Sequence, residues 1–231
     1  GIIVLPSPVR VFAFSIAAGL VAGLVLAVFN SVSAGPYIEK IGDDYSSFIQ
    51  ATGDLDFDEY EKSLQSLYLW QLAGPIIIGL AAGGAFAVVY LKLASSRPLV
   101  TALIIAGVAW FSLYAMPAAK YPANPEALFD AETAKSYNLQ YLAYAAASGL
   151  AALGSAIAFS KMKRKNWPMG AAGVYLAIIA AMYFAFPAFP EVDYIRPEIV
   201  MGWRSISAAG MTAFWFLLGI IAGMLLELKK I

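Results

Sequence analysis

Residues 11–38 decide the fold, because they read VFAFSIAAGLVAGLVLAVFNSVSAGPYI and contain no Asp, Glu, Lys or Arg. A helix of about 20 residues crosses the roughly 30 Å hydrocarbon layer of a bilayer. Five more charge-free runs reach this length, at residues 63–91, 98–119, 136–160, 166–190 and 205–226. The chain is 61% hydrophobic and 13% charged, whereas soluble domains are about 45–50% apolar and 25% charged. We therefore predict an all-α integral membrane protein in contact with the lipid bilayer.

The runs predict one polytopic domain over residues 1–231. Its six transmembrane helices are expected near residues 11–32, 67–91, 98–117, 138–160, 168–187 and 205–226. The first run has some features of a signal peptide, with Arg10 before it and small residues at 31–34 after it. We interpret it as the first transmembrane helix.

The basic residues predict the orientation. Nine of the fifteen fall at the two ends and in the connections between helices 2 and 3 and helices 4 and 5. Fourteen of the fifteen acidic residues lie in the other three connections. Cytoplasmic loops carry an excess of Lys and Arg. We therefore predict cytoplasmic N and C termini in the cell (plasma) membrane, with the acidic connections outside.

A weak internal repeat suggests three helical hairpins of the same orientation. Residues 114–118 (YAMPA) parallel residues 184–188 (FAFPA), and Pro125-Glu126 parallels Pro197-Glu198. The returning helices of the three hairpins share glycine-rich segments before a lysine. Parallel repeats of this kind would be related by an axis along the membrane normal.

Glycines four residues apart predict close helix packing, because small residues let helix backbones approach in lipid. The predicted packing positions are Gly19, Gly23, Gly79, Gly83, Gly149, Gly219 and Gly223. The pattern leaves open whether the contacts lie within the chain or with another chain.

The chain has no histidine and no cysteine. Disulfides, Cys/His zinc sites, His or Cys haem ligation and Ser-His or Cys-His catalysis are therefore excluded. The net charge is zero and no basic stripe is present, so nucleic acid is not an expected partner. We predict a protein that is not an enzyme and binds no cofactor tightly.

Carboxylates dominate the first outer connection, where Asp54, Asp56 and Asp58 alternate along the chain. Hard divalent cations prefer such oxygen ligands, but the spacing does not complete an EF-hand. Asp56 and Glu59 also have the spacing of a capping box at the start of helix 2. Three interpretations stay open: a helix start in a solvated loop, a weak cation-concentrating surface, or a defined metal site.

Prolines also predict stiff connections after helices 3 and 5, because proline restricts its own backbone and that of the residue before it. Glu126, Glu191 and Asp193 offer oxygen ligands in these connections. The alternative is that the prolines merely end the two helices. No charged residue lies in mid-span, so we expect that the chain does not move metal alone.

Three strings resemble the CbtA family of predicted cobalt transporter membrane subunits. They are residues 120–126 (KYPANPE), residues 189–193 (FPEVD) followed by Trp203 and Arg204, and residues 18–24 (AGLVAGL). The most specific string contains Lys120, Tyr121, Pro122, Asn124 and Pro125. The resemblance implies cobalt import linked to cobalamin synthesis, with a small CbtB-like partner that carries a histidine-bearing tail.

We therefore predict a membrane subunit of a divalent metal (cobalt) uptake system that acts with a partner subunit. A divalent cation, cobalt, would be its substrate. The rival hypothesis is a structural or accessory subunit that packs around a larger membrane protein complex.

Overall fold

The computed structural model describes residues 7–52, 57–93, 96–124, 131–161, 166–188 and 195–228, and 93% of these are helical. The α-helices are α1 (Pro8–Thr52), α2 (Phe57–Leu93), α3 (Pro98–Ala109), α4 (Met116–Lys120), α5 (Ala131–Ser160), α6 (Trp167–Ala185) and α7 (Pro197–Leu228). A π-helix at Trp110–Ala115 joins α3 to α4.

Six helical segments of the described residues are long and apolar enough to cross a membrane. They are Pro8–Phe48, Gln65–Leu93, Pro98–Lys120, Glu132–Phe159, Trp167–Ala185 and Pro197–Leu228. The prediction of an all-α protein with six transmembrane helices is thereby confirmed. The three-hairpin repeat, the single domain and the cytoplasmic termini stay predictions.

Helices α1 and α2 extend well past the predicted spans. Most of the predicted first outer connection is helical, because α1 continues to Thr52 and α2 begins at Phe57. Ala34, Ile38 and Ile41 are buried along one face of the extended α1. This spacing continues the apolar stripe of an amphipathic helix beyond the predicted span at residues 11–32.

The described contacts group into two compact units. Unit 1 comprises residues 1–107, 124–128 and 193–231, and unit 2 comprises residues 108–123 and 129–192. In unit 1, α1 packs against α2 and α7. Gly19 and Gly79 face each other so closely that a Cβ on either would overlap the other's carbonyl oxygen. A Cβ on Gly23 would likewise overlap the Pro75 carbonyl oxygen of α2, and a Cβ on Gly83 would overlap the Ser15 carbonyl oxygen of α1.

Glycines of α7 and α5 occupy further close contacts, each within one unit. In unit 1, Gly219 of α7 lies against Ala102 and Ala106 of α3. Gly223 lies against Leu99 and Ala102 of the same helix. In unit 2, Gly149 of α5 lies against the Leu113 side chain of the π-helix. All seven predicted packing glycines thus contact other helices of the same chain.

Unit 2 contains the second half of the third span together with α5 and α6. Helix α6 buries Ala171, Tyr175 and Ile179, which recur every four residues along one face. Helix α5 packs against both α6 and the π-helix. The sequence pattern indicated an unbroken α-helix at the third span and did not reveal the π-helix.

Candidate functional site

The string at residues 120–124 lies where the third span ends. The Tyr121 amide donates to the Pro117 carbonyl at 2.8 Å, which closes the last turn of α4. Tyr121 itself leaves the helical conformation, with φ −125° and ψ 82°. A residue that precedes proline is disfavoured in the α-helical region. Pro122 therefore accounts for the end of the helix at Lys120.

Tyr121 is fully buried and holds two segments of unit 2 together. Its hydroxyl donates to the Pro187 carbonyl at 2.8 Å. Its ring meets the rings of Tyr137 and Tyr144 edge-on, with both centroids 5.8 Å away. Burial raises the pKa of the Tyr121 hydroxyl. The hydroxyl therefore stays protonated and can donate this hydrogen bond. We call these three tyrosines the tyrosine cluster.

Tyr137 secures the other side of the turn, because its hydroxyl donates to the Pro122 carbonyl. Proline carbonyls at 122 and 187 thus both accept hydrogen bonds from buried tyrosines of the cluster. The cluster therefore ties the described parts of both proline-containing segments to α5 and to the end of α4.

Lys120 stabilises the carboxyl end of α6. Its ammonium donates to the Tyr183 carbonyl at 2.8 Å and lies 4.5 Å from the centre of the Tyr183 ring. Tyr183 lies in the last turn of α6, where carbonyls lack intrahelical donors. A cation at this position also complements the helix dipole. The lysine of the string is therefore a helix cap within unit 2.

Asn124 and Arg204 form a separate contact within unit 1. The Asn124 Oδ1 accepts from Arg204 Nη2 at 2.9 Å, while the buried Arg204 Nε has no hydrogen-bond partner. Trp203, one residue earlier in α7, is also buried. Tyr121 and Trp203 therefore each pack inside their own unit.

Asp44 and Arg196 form an ion pair in unit 1 that sequence reasoning did not identify. Arg196 Nη2 lies 3.0 Å from Asp44 Oδ1, and the Arg196 backbone amide donates to Asp44 Oδ2 at 3.1 Å. Hydrogen bonds and charge from Asp44 raise the pKa of Arg196. This carboxylate, which the sequence places in the acidic connection, is thus already bonded to a cation.

The predicted metal ligands lie outside the part of the chain whose side chains the structure describes. Asp58 falls in α2, but its side chain is outside that part. The others fall between the described segments: Asp54, Asp56, Glu126, Glu191 and Asp193, together with Pro125 of the string. Within the described residues, no three Asp, Glu, His or Cys side chains lie close enough to hold a metal ion.

Comparison with known proteins identifies a family. The model of the CbtA family, described as a probable cobalt transporter subunit, matches residues 10–227. No curated protein and no solved structure matches the chain.

Proposed function

Because the chain belongs to the CbtA family of probable cobalt transporter subunits, we propose that it is the membrane subunit of a cobalt uptake system and acts with a partner subunit. The match over residues 10–227 carries this proposal, since it covers all six candidate spans except Pro8 and Val9 of the first and Leu228 of the sixth. The plasma membrane is the proposed location, and cobalt is the substrate rather than a resident cofactor.

The described part of the chain supports a need for a partner. It holds no cluster of three metal-ligating side chains, and the chain has no histidine. Borderline metals favour imidazole over carboxylate alone. A small CbtB-like subunit with a histidine-bearing tail would supply the missing ligands. The acidic connections of this chain would raise the local concentration of cations before they reach those ligands.

The hydrogen bonds around residues 120–124 support the idea that the connections of the predicted outer face start from rigid helix ends. Lys120, Tyr121 and Pro122 are each bonded to another segment of unit 2. Such bonds hold the end of the third span in one conformation. The connections that carry Glu126, Glu191 and Asp193 begin directly from these fixed ends, so we propose these three carboxylates as the metal-attracting groups.

The test is cobalt accumulation in cells that depend on this chain and its native partners for cobalt-limited growth. Glu126→Gln combined with Asp193→Asn should lower accumulation while membrane abundance is unchanged. Asp54→Asn combined with Asp58→Asn removes two carboxylates from the first acidic connection and should lower accumulation less. Wild-type accumulation by the first variant would exclude the proposed carboxylates. No difference between cells with and without the chain would exclude cobalt uptake altogether.

The accessory-subunit hypothesis predicts a different outcome. An accessory subunit would leave cobalt accumulation unchanged when deleted, but would reduce the membrane abundance of a larger complex. In liposomes that contain this chain alone, the proposed function predicts no cobalt uptake above that of empty liposomes, because the partner is missing.

A further inference from the structure

Pro117 leaves one backbone carbonyl of the third span without its helical donor. In the π-helix the Met116 amide donates to the Phe111 carbonyl, five residues earlier. The next amide in this register belongs to position 117, but proline has no N–H. The Ser112 carbonyl therefore loses the donor that the π-helical register would provide. Freed carbonyls at membrane depth occur where they are buried in protein or line a cavity.

Side chains of two other helices converge on this carbonyl. The Ser148 hydroxyl of α5 lies 2.6 Å from the Ser112 carbonyl oxygen and donates to it. The same hydroxyl oxygen lies 2.8 Å from the Tyr175 hydroxyl of α6. Ser148 is completely inaccessible to solvent. Three spans of unit 2 thus bring three neutral oxygens together inside the helix bundle.

Tyr144 supplies a further hydroxyl on the same face of α5, one turn before Ser148. Its side chain is completely buried, and its hydroxyl has no hydrogen-bond partner. Its ring meets the rings of Tyr121 and Phe186 edge-on, with centroids 5.8 and 5.1 Å away. A buried polar atom without a partner is costly, and such atoms in a native structure call for a bound water, an ion or another specific cause.

The chemistry of these oxygens favours a cation of low charge. Each hydroxyl can turn its proton outward and present lone pairs, so one carbonyl and three hydroxyls can all act as ligands. No carboxylate belongs to this set, whereas sites for hard divalent cations use carboxylates. In transporters with interrupted helices, freed carbonyls coordinate the coupling Na⁺ ion.

We propose that the Ser112 carbonyl and the hydroxyls of Ser148, Tyr175 and Tyr144 form a Na⁺ site, and that Na⁺ is the coupling ion of uptake. The ion would replace the hydrogen bonds that now join Ser148 to Ser112 and Tyr175. The site stands on the geometry of unit 2 alone, while its coupling role rests on the proposed uptake function.

The test is thermal unfolding of the purified full chain in detergent, in NaCl, KCl or choline chloride at equal ionic strength. At a Na⁺ concentration about ten times Kd, linkage gives a rise in Tm of about 3–6 °C over choline. Ser148→Ala and Tyr144→Phe should each abolish this rise. Ser155→Ala should retain it, because this buried serine lies seven residues, or roughly 10 Å, further along α5.

Tyr144→Phe separates ion binding from structural stabilisation. The Tyr144 hydroxyl makes no hydrogen bond, so its removal should not lower Tm in choline chloride. Loss of the Na⁺ response in this variant would therefore support the site. The proposal would be overturned by an equal response to K⁺, by no response to Na⁺, or by a response that survives in either variant.

The coupling role is tested separately, by measuring whether cobalt accumulation in cells depends on external Na⁺. Cobalt accumulation that is independent of external Na⁺ would exclude coupling and leave the proposed function intact. A Na⁺ response in the purified chain without any cobalt accumulation in cells would exclude the proposed function and leave the Na⁺ site intact.

Discussion

The Lys120 ammonium donates a hydrogen bond to the Tyr183 carbonyl at 2.8 Å and also lies 4.5 Å from the centre of the ring of the same residue. One side chain thereby provides a donor for a carbonyl at the end of α6 and a cation over an aromatic face. Because both partners belong to unit 2, this contact joins the end of the third span to the end of the fifth.

Lys120→Met should destabilise the protein by about 0.5–1 kcal/mol, because it removes a cap and a charge near the carboxyl end of α6. For a chain of this size, that loss corresponds to a decrease in Tm of about 1–4 °C. Lys135→Met is the matched control, since Lys135 is exposed in the first turns of α5. A Tm for Lys120→Met equal to that of Lys135→Met would contradict the capping role.

Tyr121→Phe should destabilise the protein by about 0.5–1.5 kcal/mol, because the Pro187 carbonyl would lose the hydrogen bond that the Tyr121 hydroxyl donates. Tyr144→Phe is the control within the same cluster, since the Tyr144 hydroxyl has no partner to lose. Both variants are compared by thermal unfolding in choline chloride, which leaves Na⁺ out of the measurement. Equal stability of the two variants would show that the Tyr121 hydrogen bond contributes nothing.

Gly83→Ala should be strongly destabilising, whereas Gly84→Ala should be neutral or slightly stabilising. A Cβ at Gly83 would overlap the Ser15 carbonyl oxygen and lie 2.9 Å from the Ile16 Cα. A Cβ at Gly84 would meet nothing within 4 Å. Backbone atoms of α1 cannot move aside locally, so we expect a loss of at least about 1–3 kcal/mol at Gly83. Similar unfolding temperatures for the two variants would refute the close α1–α2 contact.

Asp44→Asn and Arg196→Met should each lower stability slightly, and their effects should not add, because they remove the same ion pair. The coupling between them should decrease when salt is raised from about 0.05 M to 0.5 M, since exposed charges are screened. Asp43→Asn is the neighbouring control. A coupling of zero in a double-mutant cycle at low salt would mean that the pair contributes nothing to stability.

Single cysteines at positions 47 and 92 should react with a membrane-impermeant thiol reagent from opposite sides of the membrane. Ser47→Cys lies near the end of α1, and Lys92→Cys lies in the last turn of α2. The chain has no cysteine of its own, so each label reports one position. The predicted topology places position 47 outside. Labelling of both positions from the same side would exclude it.

Parts of the candidate site were accessible from sequence, and parts were not. The string at residues 120–126 was found because it resembles a family, and Pro117 and Pro122 indicated a stiff helix end. The roles of Lys120 and Tyr121 were not predictable, since their partners lie 63 and 66 residues further along the chain. No local pattern marks a lysine as the cap of a distant helix.

The sequence by itself determined the number and the approximate positions of the six spans. It could do so because the cost of placing charge in hydrocarbon applies to each residue whatever its neighbours. Only the tertiary structure decided where the freed Ser112 carbonyl finds a donor, because Ser148 reaches it from 36 residues away. The carbonyl is freed by local geometry at Pro117, but its partner depends on which helices pack together.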